Sequence, residues 1–242
     1  MTSHHIREVT RSGTFRVPAE ATQFYIEVIG GGGSGGNGAS GENLMGREIA
    51  YGGGGGGGGG SGGRIKLYLD VGSEINVGDT ITYSVGTGGE QSQVTVNDYV
   101  IIANGGEKGE NGSPNDIAKQ GQPGQTYIET ETPEEFETLM QRARLFGSQT
   151  YAGSPGSISG SGGNGGGNLS FRGGAGGVGA QRSFGQATPA GEGQVGESPG
   201  IGGGGGGGGL SELAPVGRSP HLPATSGAKG GLGAPGIIRF EW

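Results

Sequence analysis

The chain has 242 residues, of which 65 are glycine and none is cysteine, and its formal net charge is −7. Apolar residues make up only 29%, so a core of large side chains cannot run through the whole chain, and disulfides and thiolate metal sites are excluded. The acidic balance argues against nucleic acid as a partner. No apolar run approaches the roughly 20 residues that cross a bilayer, which argues against membrane insertion.

Short strands are predicted on both sides of the first glycine tracts. Residues Ile6 to Val17 read as one or two strands with a break at Ser12-Gly13. Further segments alternate apolar and polar residues, which is typical of half-buried strands. They are QFYIEVI at 23–29, RIKLYLDV at 64–71, ITYSV at 81–85, QVTV at 93–96 and YVIIA at 99–103. Their spacing indicates an all-β framework.

One helix is predicted over about residues 132–146. It begins with Thr132 as N-cap, Pro133 at the first helical position and Glu135 three residues after the cap, which together form a capping box. Gly147 follows as a stop signal. Apolar residues repeat at intervals of three and four, and they define a docking face for the glycine-rich part or for a partner: Phe136, Leu139, Met140 and Phe146.

Glycine tracts dominate the rest of the chain, at 30–36, 52–60, 160–167, 173–179, 202–209 and 227–236. Ordering glycine costs more entropy than ordering any other residue, so an ordered tract needs a large compensating interaction. A polyproline-II-type helix has no internal hydrogen bonds, and neighbouring helices without side chains can approach and bond to each other. The absence of a G-X-Y repeat excludes collagen, and flexible linkers are the alternative interpretation.

The expected fold is therefore mostly β plus polyglycine II. A short-strand framework resembling a β-sandwich, at 1–104, contains the first tracts (30–36 and 52–63) and is closed by N- and C-terminal strands. Residues 105–152 form an insertion with the helix, 153–235 form a polyglycine-II bundle with loops, and 236–242 form the closing strand. The terminal strand needs an ordered path back to the N-terminal block, so we expect one compact unit.

No motif points to catalysis. Lys229 lies in GAKGG, which lacks the Ser or Thr of a phosphate-binding loop, and GxGxxG-like matches do not lie between a strand and a helix. The histidines His4 and His5 read as a solvated tail more readily than as a metal site. The sequence therefore predicts a protein that is not an enzyme and that has no metal and no cofactor.

Residues that interrupt the glycine are the candidates for binding, because loops on a rigid scaffold are free to vary. Exposed aliphatic and aromatic side chains in these loops favour binding, while the alternative is that they plug the ends of the bundle. The loop candidates are Leu44, Met45, Tyr51, Phe171, Arg182, Phe184, Leu210, Leu213, His221 and Leu222.

Both ends of the chain resemble a known family. The opening SGTFRVPAEATQFYIEVIGGGGSGG resembles the start of glycine-rich domain proteins of bacteriophage tails. The segments YGGGGGGGGGSGGRIKLYLDVGSEINVGDTITYSVGTGG and GAPGIIRFEW are similar to the next and the closing elements of that family. Residues 116–149 depart from the pattern. The resemblance implies a tail fibre or adhesin whose polyglycine-II bundle presents loops to host-surface receptors.

Our leading hypothesis is accordingly a phage virion structural protein at the tail or fibre tip that contributes to host attachment. It implies other virion proteins as partners, a glycan or outer-membrane protein as host receptor, assembly in the host cytoplasm into the virion, and a homo-oligomer or larger assembly. The alternative is a virion structural protein without a receptor role, such as a capsid decoration or tail adaptor. An ice-binding protein is a third class, but it requires regular Thr or Ala ladders that the sequence lacks.

Overall fold

The computed structural model describes residues 4–42, 52–114, 116–130, 137, 144–145, 151–158, 160–167, 172–183, 186–210 and 223–242. Every strand predicted from the sequence is confirmed to within a few residues. β8, β10 and β11 were not predicted. The twelve strands in the described residues are β1 (Ile6–Val9), β2 (Gly13–Arg16), β3 (Gln23–Ile29), β4 (Arg64–Asp70), β5 (Thr80–Ser84), β6 (Ser92–Val96), β7 (Tyr99–Ala103), β8 (Thr126–Glu129), β9 (Arg144–Leu145), β10 (Gln181–Ser183), β11 (Gln186–Thr188) and β12 (Ile237–Glu241).

The helix predicted over 132–146 lies largely outside the described residues. Glu137 is described and is helical. The prediction is wrong at its C-terminal end, because Arg144–Leu145 form β9, which pairs with the edge of β4 (Ile65 with Leu145). Pairing along an open sheet edge outweighs the local helix preference of these residues.

Two five-stranded antiparallel sheets form the framework. Sheet 1 has the order β1-β12-β3-β4-β9, and sheet 2 has the order β2-β5-β6-β7-β8. Alternation along β3 buries Phe24, Ile26 and Val28 on one face, and these side chains meet the inward face of sheet 2. Phe15 of β2 stacks on Phe240 of β12 with ring centroids 4.4 Å apart, so the apolar core lies between the sheets.

The C-terminal strand closes the framework, as the sequence predicts. β12 lies between β1 and β3, with Ile238 opposite Val28 and Val9 opposite Ile238. Beyond the strands, His5 and Trp242 exchange backbone hydrogen bonds of 2.9 and 3.0 Å, and their rings stack. The two ends of the described chain are therefore held together, and the exposed His4–His5 pair is not a free tail.

Among the described residues, ten tracts without regular secondary structure form a glycine body that adjoins the sheets. Each tract bonds to its neighbours through backbone groups at intervals of three residues. For example, Gly30, Gly33 and Gly36 donate to Gly63, Gly60 and Gly57. The tracts are tract 1 (30–41), tract 2 (52–63), tract 3 (104–112), tract 4 (118–125), tract 5 (151–157), tract 6 (160–167), tract 7 (172–180), tract 8 (190–196), tract 9 (200–210) and tract 10 (225–236).

The hydrogen bonds arrange these tracts in three layers. Tracts 3, 1 and 10 form one outer layer, tracts 4, 2, 9 and 8 the middle layer, and tracts 5, 6 and 7 the other outer layer. Tract 2 donates to tracts 9, 3 and 5 in a repeating order and accepts from tracts 1, 4 and 6. Tract 9 is surrounded in the same way. Residues 53–63 and 201–209 are accordingly buried throughout.

Glycine in the central tracts is required by close approach of backbone to backbone. A Cβ built on Gly57 would lie well inside 3.0 Å of the Lys119 carbonyl oxygen, and one on Gly58 equally close to the Asn164 carbonyl oxygen. Residues 105–152, assigned from the sequence to an insertion, thus supply tracts 3 and 4 of the same body. The described residues contain no helix long and apolar enough to span a bilayer.

Candidate functional site

The two ends of the glycine body differ in what they carry. At the sheet end, β3 runs directly into tract 1, tract 2 into β4 and tract 10 into β12. At the opposite end, which we call the distal end, lie the residues that flank five connections. These connections are 42–51, 113–117, 158–159, 181–189 and 211–224. Loops on a rigid scaffold are where binding residues concentrate, so the distal end is the candidate functional site.

Most loop residues proposed from the sequence belong to distal connections. Leu44, Met45 and Tyr51 belong to the first connection, and Arg182 and Phe184 to the one between tracts 7 and 8. Leu213, His221 and Leu222 belong to the connection after tract 9, and Leu210 is the last residue of that tract. Arg182, in β10, and Leu210, at the end of tract 9, lie within the described residues. The other distal candidates lie outside the described residues: Leu44, Met45, Tyr51, Phe184, Leu213, His221 and Leu222. The predicted docking face, Phe136, Leu139, Met140 and Phe146, also lies outside them.

Phe171 does not join this group. It lies outside the described residues, but Gly167 and Arg172, which flank its connection, lie at the sheet end of the body. Tyr151 donates to the Gly167 carbonyl, and Ser61, three residues before β4, donates to the carbonyl of Tyr151. Successive connections lie at alternate ends of the body. Glycine content alone does not tell which end a given connection occupies, because the direction of each tract is known only from its hydrogen-bond partners.

Ordered contacts hold the described part of the distal end. The Leu210 amide donates to Thr225 Oγ1 at 2.6 Å, and the Thr225 amide returns a bond to the Leu210 carbonyl at 2.9 Å. Ile117 precedes tract 4 and Ile158 follows tract 5, and both side chains are half exposed. The two tracts are neighbours, as the hydrogen bond from the Gly156 amide to the Ala118 carbonyl shows. These two isoleucines were not among the binding candidates predicted from the sequence. An aliphatic residue directly beside a tract was the sequence feature that could have identified them.

Tract 7, at the surface of the body, exposes a side chain at every third position. In tract 7 the exposed residues are Arg172, Ala175 and Val178, followed by Gln181. The glycines between them are half-buried or buried. A structure with three residues per turn places residues i and i+3 on one side, so the side chains form rows along the body.

Polar side chains in these rows cap backbone N–H groups that point out of the body. Asn37 Oδ1 accepts from the Gly230 amide at 3.0 Å, and Asn164 Oδ1 accepts from the Gly176 amide at 2.9 Å. Glu110 accepts from the Lys119 amide at 3.0 Å in the same manner. These caps replace the neighbouring tract that a central tract would have, so these three surface donors are satisfied by the chain itself.

Comparison with known proteins agrees with this architecture. The family model described as a glycine-rich domain matches residues 9–242. The chain belongs to the glycine-rich domain family. A search of curated proteins found no match. The family description concerns glycine content and names no ligand, partner or location.

The outer face of sheet 1 in this glycine-rich domain carries a compensated charge cluster. Glu27 is only 2% exposed although it lies on the face opposite the core. Arg64 Nε donates to Glu27 Oε1 at 2.7 Å, and Arg239 Nη1 donates to Glu27 Oε2 at 2.6 Å. Lys66 Nζ contacts both carboxylate oxygens of Glu241 at 2.8 Å. Glu8 of β1 accepts from Arg239 at 2.6 Å as well. Because the partners lie on β1, β3, β4 and β12, the cluster fastens the strands that close the framework.

The pKa values of Arg239 and Tyr99 are shifted from their ordinary values. Burial would lower the pKa of Arg239, but its hydrogen bonds to Glu8 and the nearby charge of Glu27 outweigh it and raise that pKa. Burial also raises the pKa of Tyr99, whose hydroxyl is buried without a partner among the described residues. In the part of the chain that the structure describes, no three His, Asp or Glu side chains are grouped to hold a metal.

Proposed function

We propose that this glycine-rich domain is a bacteriophage virion protein at the tail or fibre tip that binds a host-surface receptor through its distal end. The observation that supports the proposal is the convergence of five connections at one end of a body whose opposite end is built into two sheets. Such a layout separates a surface made of loops from its scaffold. Recognition by variable loops on a fixed scaffold is a common solution to receptor binding.

We also propose that the ten tracts are polyglycine-II helices. The supporting observations are the three-residue repeat of the hydrogen bonds and of exposure, which equals the three residues per turn of this helix. Proline at surface positions fits the same interpretation. Pro123 and Pro155 occupy positions whose N–H would point out of the body, and proline lacks that group while favouring the required φ.

A rigid body favours binding over catalysis in this proposal. Because the tracts are already ordered, the protein loses little conformational entropy when a partner docks. The loops then determine specificity. The receptor classes we consider are a glycan and an outer-membrane protein. The sheet end, with the charge cluster on its outer face, would face the rest of the virion.

The test uses the full chain. Labelled protein is added to a panel of bacterial strains, and its ability to compete with phage adsorption is measured. A variant in which residues 211–222 are replaced by a Gly/Ser linker should lose cell binding while keeping the wild-type Tm, since the tracts are unchanged. A Glu197→Gln variant, altered at the sheet end, should bind like the wild type.

The alternative virion role gives a different result. A protein that binds no strain, does not compete with adsorption, and associates tightly with another virion protein would be a tail adaptor or a capsid decoration. Equal cell binding by the linker variant and the wild type would show that the distal connection after tract 9 is not the recognition surface.

A further inference from the structure

The outer layer of tracts 5, 6 and 7 contains a groove at its sheet end. Tyr151 of tract 5 lines one side and Arg172 of tract 7 the other. Asn164 and Gly165 of tract 6 lie between them, and the Asn164 side chain reaches tract 7. This groove lies at the opposite end of the body from the distal connections and does not depend on the proposed virion role. We propose that it is a binding site for a carboxylated sugar of the uronic-acid type.

The first argument is that the groove is rigidly placed. Tyr151 donates its amide to Ser61 Oγ at 3.1 Å, and the Ser61 amide donates to the Tyr151 carbonyl at 3.2 Å. Ser61 lies in the buried central tract 2. On the floor, Gly165 donates to Gly174 at 2.8 Å. Because the walls are tied to the centre of the body, little entropy is lost on ordering them around a ligand.

The second argument is that hydrogen-bond donors converge there. In tract 7 the three-residue repeat places the Gly173 amide on the same side as the Gly176 amide, which Asn164 caps. In tract 6 it places the Gly167 amide on the same side as the Ser161 amide, which donates to Ser157 Oγ. Neither Gly167 N nor Gly173 N has a partner among the described residues. Outward backbone donors without acceptors favour an anion.

The side chains add to this donor set. Asn164 uses its Oδ1 for the Gly176 amide, so its Nδ2 amide group remains as a donor. Arg172 is exposed and makes no ion pair with a described residue, and guanidinium matches the geometry of a carboxylate. None of the described residues that line the groove is acidic. Arg172 separates it from a second groove that includes Gln194 and Glu197.

The third argument concerns the ring of the ligand. Tyr151 is 47% exposed and presents an amphipathic aromatic surface beside the donors, which suits a ring with one apolar face and a hydroxylated edge. A floor of glycine leaves room for that ring to approach the backbone. The aromatic ring of Tyr151, the amide of Asn164 and the guanidinium of Arg172 together fit a pyranose that carries a carboxylate better than they fit a bare anion.

The experiment titrates the full chain with glucuronic acid and follows backbone amide shifts by NMR. A ligand of about a dozen non-hydrogen atoms is expected to bind with a dissociation constant of about 1 mM, and the largest shifts should fall on Gly167 and Gly173. Glucose, which lacks the carboxylate, should bind about tenfold more weakly.

Variants separate charge from folding. Arg172→Gln should weaken glucuronic acid binding by about tenfold, the loss expected for one charge-assisted bond. Asn164→Asp keeps the acceptor for the Gly176 amide but removes a donor and adds a negative charge, so it should weaken binding at unchanged Tm. Tyr151→Leu retains the backbone contacts and tests the ring alone. Glu197→Gln is the matched control in the neighbouring groove and should bind at least as well as the wild type.

Three outcomes would overturn the proposal. Equal affinity for glucose and glucuronic acid would remove the carboxylate from the argument. Inorganic phosphate binding as tightly as glucuronic acid would show a general anion site without sugar recognition. Wild-type affinity in both Arg172→Gln and Asn164→Asp would place any binding elsewhere on the protein.

Discussion

Adding one methyl group in the central tract tests whether backbone packing stabilises the glycine body. In Gly57→Ala the new Cβ points at the Lys119 carbonyl oxygen and requires that atom to retreat. Gly57 itself donates to Glu110 and accepts from Gly36, at 2.9 and 2.8 Å, so it cannot move away without lengthening these bonds. The strain falls on tract 4 or on the bonds of tract 2.

The expected cost can be worked from these contacts. Overpacking of this kind costs about 1–3 kcal/mol, and weakening two hydrogen bonds adds about 1 kcal/mol each. Alanine reduces the entropy of the unfolded chain, which returns about 0.4–1 kcal/mol. A net loss of about 3 kcal/mol is expected, which corresponds to a drop in Tm of roughly 6–12 °C for a chain of this size.

Gly52→Ala is the matched control in the same tract. Its Cβ would lie 3.6 Å from the Gly209 carbonyl oxygen, an ordinary van der Waals separation. We expect its Tm in scanning calorimetry to stay within a few degrees of the wild type. If Gly57→Ala and Gly52→Ala have the same Tm, close backbone packing around tract 2 is not what stabilises the body.

Three further predictions concern polar groups. Tyr99→Phe should raise the free energy of unfolding by about 1 kcal/mol, because it removes a buried hydroxyl that has no partner among the described residues. Above about pH 10 the gain should grow by up to about 1.4 kcal/mol per pH unit, since the unfolded tyrosine ionises while burial holds the folded one protonated. Urea unfolding at two pH values measures both effects. Glu27→Gln should cost about 2 kcal/mol in the same assay, as its two arginine partners lose their shared carboxylate but stay partly hydrated, and an unchanged midpoint would contradict a clamping role. Asn37→Ala should speed hydrogen exchange at the Gly230 amide and cost about 0.5–1 kcal/mol, whereas Asn37→Asp should keep the protection; equal exchange in both variants would argue against capping.

The strands were predictable because their pattern is local. QFYIEVI at 23–29 alternates with a period of two, and the structure buries the same face that the pattern marks as apolar. The return of the C-terminal strand was predictable because an apolar segment such as Ile237–Glu241 needs a partner. β8 was missed because TYIE is short and borders polar residues.

The glycine body could be predicted only in part. Tract composition indicated close packing, but the order of the layers depends on which tract bonds to which, and identical glycines carry no register information. Gln122 and Lys119 belong to tract 4, which has few glycines and was assigned to an insertion. The sequence feature that marks tract 4 is the three-residue spacing of its glycines, because Gly121 and Gly124 both face the body. The groove at Tyr151 was missed because tracts 5, 6 and 7 form it jointly.

The pattern of caps explains why the glycine body ends at its outer layers. A tract with open donors and acceptors on one side is the counterpart of an exposed sheet edge, which invites pairing with another chain. On the outer layer of tracts 3, 1 and 10, Asn111 accepts from the Asn37 amide and Asn37 accepts from the Gly230 amide, so side chains occupy the places of a further tract. Pro123 and Pro155 remove donors where no partner follows. The amides of Gly167 and Gly173 have no such cap among the described residues, and both residues line the groove proposed to bind a ligand.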